Sequence, residues 1–239
     1  TGSGKSTTLY SALSNLNSDD VNIITVEDPV EYQLKGINQV QVNSNIGMTF
    51  AAGLRSILRQ DPDIIMVGEI RDTETAEIAL RSALTGHLVL STLHTNDAVS
   101  TISRLIDMGV EPFLVSSALT GIVAQRLVRR VCASCAEKQE LTEEQRTLFE
   151  SRGITTDRLV KGKGCAICGS TGYKGRLSIQ ETILIDDKLR QMITQRCSDV
   201  EYRQYVEEKG FTSLFEDGLV KAARGLTTID EVFRVSVET

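Results

Sequence analysis

Thr1-Gly2-Ser3-Gly4-Lys5-Ser6-Thr7 opens the chain and reads as the second half of a phosphate-binding loop, G-x-x-x-x-G-K-[ST]. The first glycine of that pattern would fall two residues before Thr1, so the sequence is expected to be a fragment cut through its nucleotide site. The remaining half still carries its chemistry. Small residues at Gly2, Ser3 and Gly4 let successive backbone N–H groups turn toward anionic oxygens. Lys5 can then reach the β- and γ-phosphates, the Ser6 hydroxyl can ligate Mg²⁺, and Thr7 completes the run. A helix from 5 to about 15 would bring its positive N-terminus beneath the phosphates. A chance Gly/Ser turn is the competing reading, and the rest of the chain bears on it.

Outward from this loop, residues 1–125 alternate apolar runs with amphipathic stretches. Short apolar runs bounded by polar or turn residues lie at 22–26, 63–68 and 87–91, as suits central parallel strands covered on both faces. Helices are predicted over 50–59, 73–84, 99–108 and 112–127, with Asp72 as the N-cap of the second. Strand–helix alternation behind a phosphate loop predicts an open α/β sheet whose strand C-terminal ends carry the site.

The character changes near Gln125. Between Arg126 and Arg176 eleven Lys/Arg face six Asp/Glu, a local excess of five positive charges in a chain of net charge −6. Two C-x-x-C pairs lie here, Cys132/Cys135 and Cys165/Cys168, so 126–176 reads as a small inserted subdomain. Two such knuckles match tetrahedral Zn²⁺ held by four thiolates, a closed and therefore structural site. The 29 residues between Cys135 and Cys165 are more than a compact ribbon needs. A strand at 177–185 and helices at 187–196, 198–209, 213–224 and 229–235 make 177–239 a mostly helical C-terminal region, with Ser198 and Glu201 forming a capping box.

Composition sets the class: 239 residues, 41% hydrophobic and 24% charged, describe an ordinary soluble globular chain with room for a sizeable core. Its overall acidity argues against non-specific nucleic-acid binding. No apolar run approaches the roughly 20 residues that cross a bilayer. Cysteines used as metal ligands point to a reducing compartment, the cytosol.

Several residues are candidates for chemistry. Glu69 ends the apolar run Ile64-Ile65-Met66-Val67-Gly68 where a nucleotide-hydrolysing sheet presents a carboxylate, with glycine standing at the position of the usual Mg²⁺-supporting aspartate. It is the candidate for orienting or deprotonating the attacking water, against a surface pairing with Arg71. Glu27 and Glu31, in Glu27-Asp28-Pro29-Val30-Glu31, either collect Mg²⁺ or form an acidic loop. His94, in Ser91-Thr92-Leu93-His94-Thr95-Asn96, either contacts the γ-phosphate or is a structural histidine. Arg55 and Arg59 share one helical face and either reach a neighbouring subunit's phosphates or cover a surface. Cys197 stands alone and reads as a packing residue.

With the phosphate loop ending TGSGKST, the acidic box at 25–31, the strand DPDIIMVGEIRD at 61–72, the STLHTN box at 91–96 and the four cysteines in order, the chain resembles the ATPases of type II secretion and type IV pilus assembly. The resemblance implies a RecA-like P-loop NTPase core with an inserted tetracysteine zinc subdomain. It implies ATP, Mg²⁺ and Zn²⁺ as ligands, a ring-shaped homohexamer, and an inner-membrane platform protein as partner at the cytoplasmic face. By position, it assigns phosphate and Mg²⁺ contacts to Lys5, Ser6 and Thr7, the catalytic glutamate to Glu69, the acidic-box roles to Glu27 and Glu31, and the γ-phosphate contact to His94. Type II secretion is the expected export system and pilus extension the alternative; the cysteines argue against pilus-retraction relatives. A zinc-ribbon nucleic-acid module rests only on the basic segment, and a RecA-type helicase explains neither the 61–72 strand, the histidine box nor the cysteines.

Overall fold

The computed structural model describes residues 2–236, so Thr1 of the phosphate loop and 237–239 lie outside the described residues. The chain forms two compact units. One comprises Lys5–Ile122 with Ile183–Val206; the other comprises Thr1–Gly4, Val123–Thr182 and Glu207–Thr239. Both are assembled from separated stretches, where the sequence predicts three consecutive segments divided at 125 and 176. The reason lies in the long strands of the second half, each of which runs from one unit into the other.

In the larger unit, helix α1 (Lys5–Leu16) precedes strand β1 (Ile23–Glu27), which is buried at every residue, Thr25 and Glu27 included. β1 pairs in parallel with β2 (Asn38–Gln41) and β3 (Ile64–Val67), and β3 with β4 (Leu88–Ser91), giving the order β2-β1-β3-β4. Polar β2 gives no apolar signal of its own; pairing with β1 makes it a strand. Parallel register brings the carboxyl ends of all four strands to one edge.

The two faces of β1 are used differently. Ile23 joins Tyr10 and Leu13 of α1 and Ile64 and Met66 of β3 in one core. Val26 points to the other face, where a Cβ on Gly53 of α2 (Phe50–Ile57) would stand 3.0 Å from its methyl. α3 (Thr73–Leu84) starts where predicted, with Asp72 accepting from the Thr75 N–H at 2.8 Å. α4 (Val99–Asp107) and α5 (Pro112–Ala118) follow.

The predicted helix over 112–127 is corrected here: α5 stops at Ala118, and Gly121–Val131 is a strand, β5. Its buried positions, Ile122, Gln125, Val128 and Val131, recur every three residues and so imitate a helical stripe. β5 pairs with β8 (Tyr173–Leu184) in a two-stranded ribbon, the form of sheet whose twist is largest, and twist rotates the buried side along the strand.

In the smaller unit, the long interval between the cysteine pairs is itself folded. β6 (Ala136–Glu140) and β7 (Arg158–Gly162) form an antiparallel hairpin around α6 (Glu143–Ser151), which opens on a capping box at Thr142. Leu141, Phe149 and Leu159 pack with Leu219 of α9 (Leu214–Ala223) and Ile229 of α10 (Ile229–Ser236). Helices α7 (Asp187–Thr194) and α8 (Asp199–Glu208) follow β8 in the chain; α7 and α8 up to Val206 belong to the larger unit, and Ser198 and Glu201 form the predicted reciprocal cap.

α10 carries a carboxylate with a measurable consequence. Glu231 has a side chain only 2% exposed and accepts from the Arg129 backbone N–H at 2.8 Å, from Arg129 Nη2 at 2.7 Å and from Arg234 Nη2 at 2.8 Å. Burial pushes its pKa up, but the Arg234 and Arg129 hydrogen bonds outweigh it and bring the value down to about 2. A carboxylate depressed by folding stabilises above its unfolded pKa, and that stability is lost as pH falls toward the folded value. Glu231→Gln should therefore cost about 2 kcal/mol at pH 7. The gap to the parent chain should close between about pH 4.5 and 2 in urea unfolding curves. A gap independent of pH would assign the cost to packing instead of charge.

Candidate functional site

The larger unit concentrates its charged chemistry at the carboxyl edge of the sheet. At the start of α1, Lys5 Nζ donates to the Leu93 carbonyl at 3.4 Å, tying the phosphate-loop lysine to the segment just past β4. Ser6 and Thr7 are exposed in the first turn of α1, and Gly2 and Gly4 have φ of 88° and 83°, the left-handed region that glycine enters without strain.

Glu69 lies two residues past β3, its side chain 13% exposed. Its Oε1 accepts from Arg71 Nη2 at 2.5 Å and its Oε2 faces His94 Nε2 at 3.1 Å. Arg71 also approaches Asp28 at 3.9 Å, drawing the acidic box into the same cluster. Burial raises the Glu69 pKa, but the Arg71 and His94 hydrogen bonds and charges hold it below the ordinary carboxylate value. The carboxylate is thus ionised at neutral pH, and His94 Nε2 is the donor. The pairing with Arg71 exists, yet on a largely buried carboxylate and not on a free surface loop.

The glycine before Glu69 has a physical reason. The Gly68 N–H donates to the Val26 carbonyl at 2.8 Å, and a Cβ there would stand 3.3 Å from Glu27 Cα and from that same oxygen. At the position of the usual aspartate the neighbouring strand leaves a side chain tight room. Thr92 locks the loop from the other side, donating its hydroxyl to the Gly68 carbonyl at 2.8 Å while its own carbonyl accepts from the Ile70 N–H at 2.9 Å.

The two acidic-box glutamates separate. Glu27 is 4% exposed and turned inward, accepting from the Tyr10 hydroxyl, from the Thr25 hydroxyl and from Gln39 Nε2 at 3.1 Å. Burial, and then the bond to Glu27, push the Tyr10 hydroxyl up to about 12, so it remains a donor. Glu31 is exposed, with its N–H donating to Tyr10 Oη at 3.2 Å. Tyr10 and Gln39 were not legible as site residues. Thr25 had a signal, since a strand places residues two apart on one face.

Of the helical arginine pair, Arg55 is ion-paired with Glu74 of α3, within the chain, and Arg59 lies exposed in the turn that follows α2. Cys197 is half-buried after α7.

The smaller unit gathers Cys132, Cys135, Cys165 and Cys168, whose four sulfurs all lie within 4.8 Å of one another. Sγ–Sγ separations are 3.9 Å for Cys132–Cys165, 3.9 Å for Cys135–Cys168 and 3.7 Å for Cys165–Cys168. A tetrahedral ion with Zn–S bonds of about 2.3 Å requires sulfurs about 3.8 Å apart, so the donor set fits zinc. The hairpin explains the long spacing: Cys135 directly precedes β6, and Cys165 follows three residues after β7. The Cys165 and Gly172 N–H groups point at Cys168 Sγ at 3.2 and 3.3 Å, which favours its thiolate. A Cβ on Gly162 would lie 2.0 Å from the Gly172 carbonyl oxygen, so only glycine allows β7 and the start of β8 to cross this closely.

A parallel sheet led by a phosphate-loop lysine, with a glutamate and a histidine beyond its central strands and a tetracysteine insert, defines a RecA-like P-loop NTPase core. Comparison with known proteins agrees: the family model described as Type II/IV secretion system protein matches residues 1–234. The chain belongs to that family. It is 52% identical over 239 residues to the type II secretion system ATPase E of Vibrio cholerae, covering all of this chain and 47% of that protein. It is 53% identical over 242 residues to the type IV pilus assembly ATPase PilB of Thermus thermophilus, covering all of this chain and 27% of that protein. The chain thus spans less than half the length of these relatives. Among solved structures, the pilus retraction motor PilT with bound ADP superposes at a TM-score of 0.72 and 30% identity, over 98% of this chain and 58% of that one.

Proposed function

We propose that the protein is an ATP-hydrolysing motor that powers export by a type II secretion system. It works as a homohexamer on the cytoplasmic face of the inner membrane, against a membrane platform protein. The observation that carries this reading is Glu69, an ionised, largely buried carboxylate at the carboxyl edge, held between Arg71 and His94 in the same unit as Lys5. The relatives' names supply the export context.

Within the site, Gly2, Ser3, Gly4 and Thr7 line the phosphate loop, Lys5 contacts the phosphates and Ser6 ligates Mg²⁺. An arriving γ-phosphate offers the exposed His94 a second acceptor, and the move releases Glu69 Oε2 to orient the attacking water. A carboxylate with a lowered pKa is a poor proton acceptor but a good hydrogen-bond acceptor, so positioning the water is its main task. Glu27 anchors α1 against the sheet through Tyr10, and Glu31 remains the acidic-box group available to solvent. Arg59, with no ion-pair partner among the described residues, is better suited than Arg55 to reach a neighbouring subunit. Zinc, held by Cys132, Cys135, Cys165 and Cys168, supplies folding energy and a cross-link between the ends of the β6–β7 hairpin.

Lys5→Ala tests the nucleotide site directly. In the full-length protein it should weaken ADP binding at least about tenfold and reduce turnover, because the lysine contacts phosphate in the ground state as well. Unchanged affinity and rate would reduce the motif to a turn. The identity to a pilus-assembly ATPase, 53% beside 52% for the secretion ATPase, keeps type IV pilus extension as the second reading. Rescue of secretion in a strain lacking its secretion ATPase, set against rescue of piliation in one lacking its pilus ATPase, separates the two.

A further inference from the structure

The strand that sequence periodicity predicts as helix brings a buried amide to the phosphate loop. Gln125 of β5, 8% exposed, donates through Nε2 to the Ser3 carbonyl at 2.8 Å. Its Oε1 accepts from Gln180 Nε2 of β8 at 2.7 Å. The Gln180 backbone N–H donates to Asp217 Oδ2 of α9 at 2.7 Å. Lys221 of α9 then binds Asp217 at 2.5 Å and the Ser178 carbonyl at 2.8 Å. All of these residues belong to the smaller unit. From these contacts we infer that Gln125 is a positioning residue for the phosphate loop, and that a hydrogen-bonded relay, Lys221–Asp217–Gln180–Gln125–Ser3, sets the loop's readiness for nucleotide from α9.

The geometry gives the relay its consequence. A trans peptide unit is planar, with C=O and N–H pointing in opposite directions. Pinning the Ser3 carbonyl on Gln125 therefore turns the Gly4 N–H away from β5, where it has no acceptor among the described residues. An unpaired N–H held at a fixed angle is what a phosphate oxygen requires. The seat is close-fitting as well: a Cβ on Gly4 would lie 3.0 Å from Gln125 Nε2 and 3.3 Å from a Leu127 methyl. Glutamine suits the position because the loop needs a donor and Gln180 needs an acceptor from one buried side chain. An aliphatic residue supplies neither, and it leaves the Ser3–Gly4 peptide free to rotate.

This inference rests on the nucleotide-binding reading above, and its test keeps the two apart. In full-length protein, Gln125→Leu should raise the Kd for Mg-ADP about tenfold, the effect of losing one preorganising hydrogen bond, while zinc content and the nucleotide-free melting temperature stay close to those of the parent. Gln180→Leu, one step removed from the loop, should raise Kd by about threefold, and the double variant should bind no worse than Gln125→Leu alone. Unchanged affinity in Gln125→Leu, or additive losses in the double variant, would overturn the relay. Should Gln125→Leu fail to fold, Gln180→Leu decides, and parental affinity there refutes the relay. Lys5→Ala run alongside identifies which reading has failed. Parental affinity in Lys5→Ala sinks the phosphate-loop site itself; weakened Lys5→Ala with unaltered glutamine variants sinks the relay alone.

Discussion

Glu69→Gln in the full-length protein is expected to bind ATP nearly as tightly as the parent while hydrolysing it roughly 10²–10⁴ times more slowly. The amide is isosteric and stays within reach of Arg71 and His94, so the fold and the ground-state complex should survive. It loses the charge that holds the attacking water, and half of its hydrogen-bonding capacity becomes donor. The loss should therefore fall on kcat, with the nucleotide Kd almost unmoved. Single-turnover hydrolysis beside equilibrium ATP binding separates these terms. Turnover near the parent's would pass the role to Glu31, the acidic-box glutamate that faces solvent; Glu27 has its carboxylate occupied by Tyr10, Thr25 and Gln39.

Cys135→Ser is expected to remove zinc and unfold the hairpin end of the smaller unit, leaving the sheet that follows Lys5 intact. Metal binding at such a site is folding free energy, on the order of 10 kcal/mol for four thiolates. Two features set how far the damage reaches. Leu141, Phe149 and Leu159 bury themselves against α9 and α10 and keep α6 in place. The Gly162–Gly172 crossing, by contrast, has no side chains to hold it once the knuckles open. Hydrogen exchange should show lost protection over 132–138 and 160–172, with the strands β1, β3 and β4 protected as before. Zinc analysis of the purified parent should give one ion per chain. A zinc-free parent with full protection over those segments would show that the four thiols pack without a metal.

Much of this protein was readable before any fold was known, wherever chemistry is carried by residues adjacent in the chain. The phosphate loop, the apolar strand ending at Glu69, the STLHTN segment, the Asp72 cap and the two C-x-x-C pairs are each local. Spacing along the backbone alone places their groups. Parallel pairing then brings Glu69 and His94 to one edge, which follows from strand–helix alternation without knowledge of any particular contact.

What spacing could not supply is every arrangement made by residues far apart. Glu27 and Glu31 look equivalent in an acidic box, yet Tyr10 on α1 turns one inward and leaves the other in solvent. Arg55 looks available until α3 brings Glu74 beside it. The stripe of Ile122, Gln125, Val128 and Val131 obeys a helical period, and pairing with β8 makes it a strand. Polar β2 is a strand only because β1 offers it a partner. The cysteine interval looks too long for a zinc ribbon until β6 and β7 pair and return its ends to each other. By itself the sequence determined which groups carry the chemistry, because each such group comes with its local backbone. Only the tertiary structure decided which carboxylate stays open, which arginine is already neutralised and how the phosphate loop is seated on Gln125, because those outcomes depend on burial and on partners from other elements, 17 residues away for Glu27, 19 for Arg55 and 122 for Ser3.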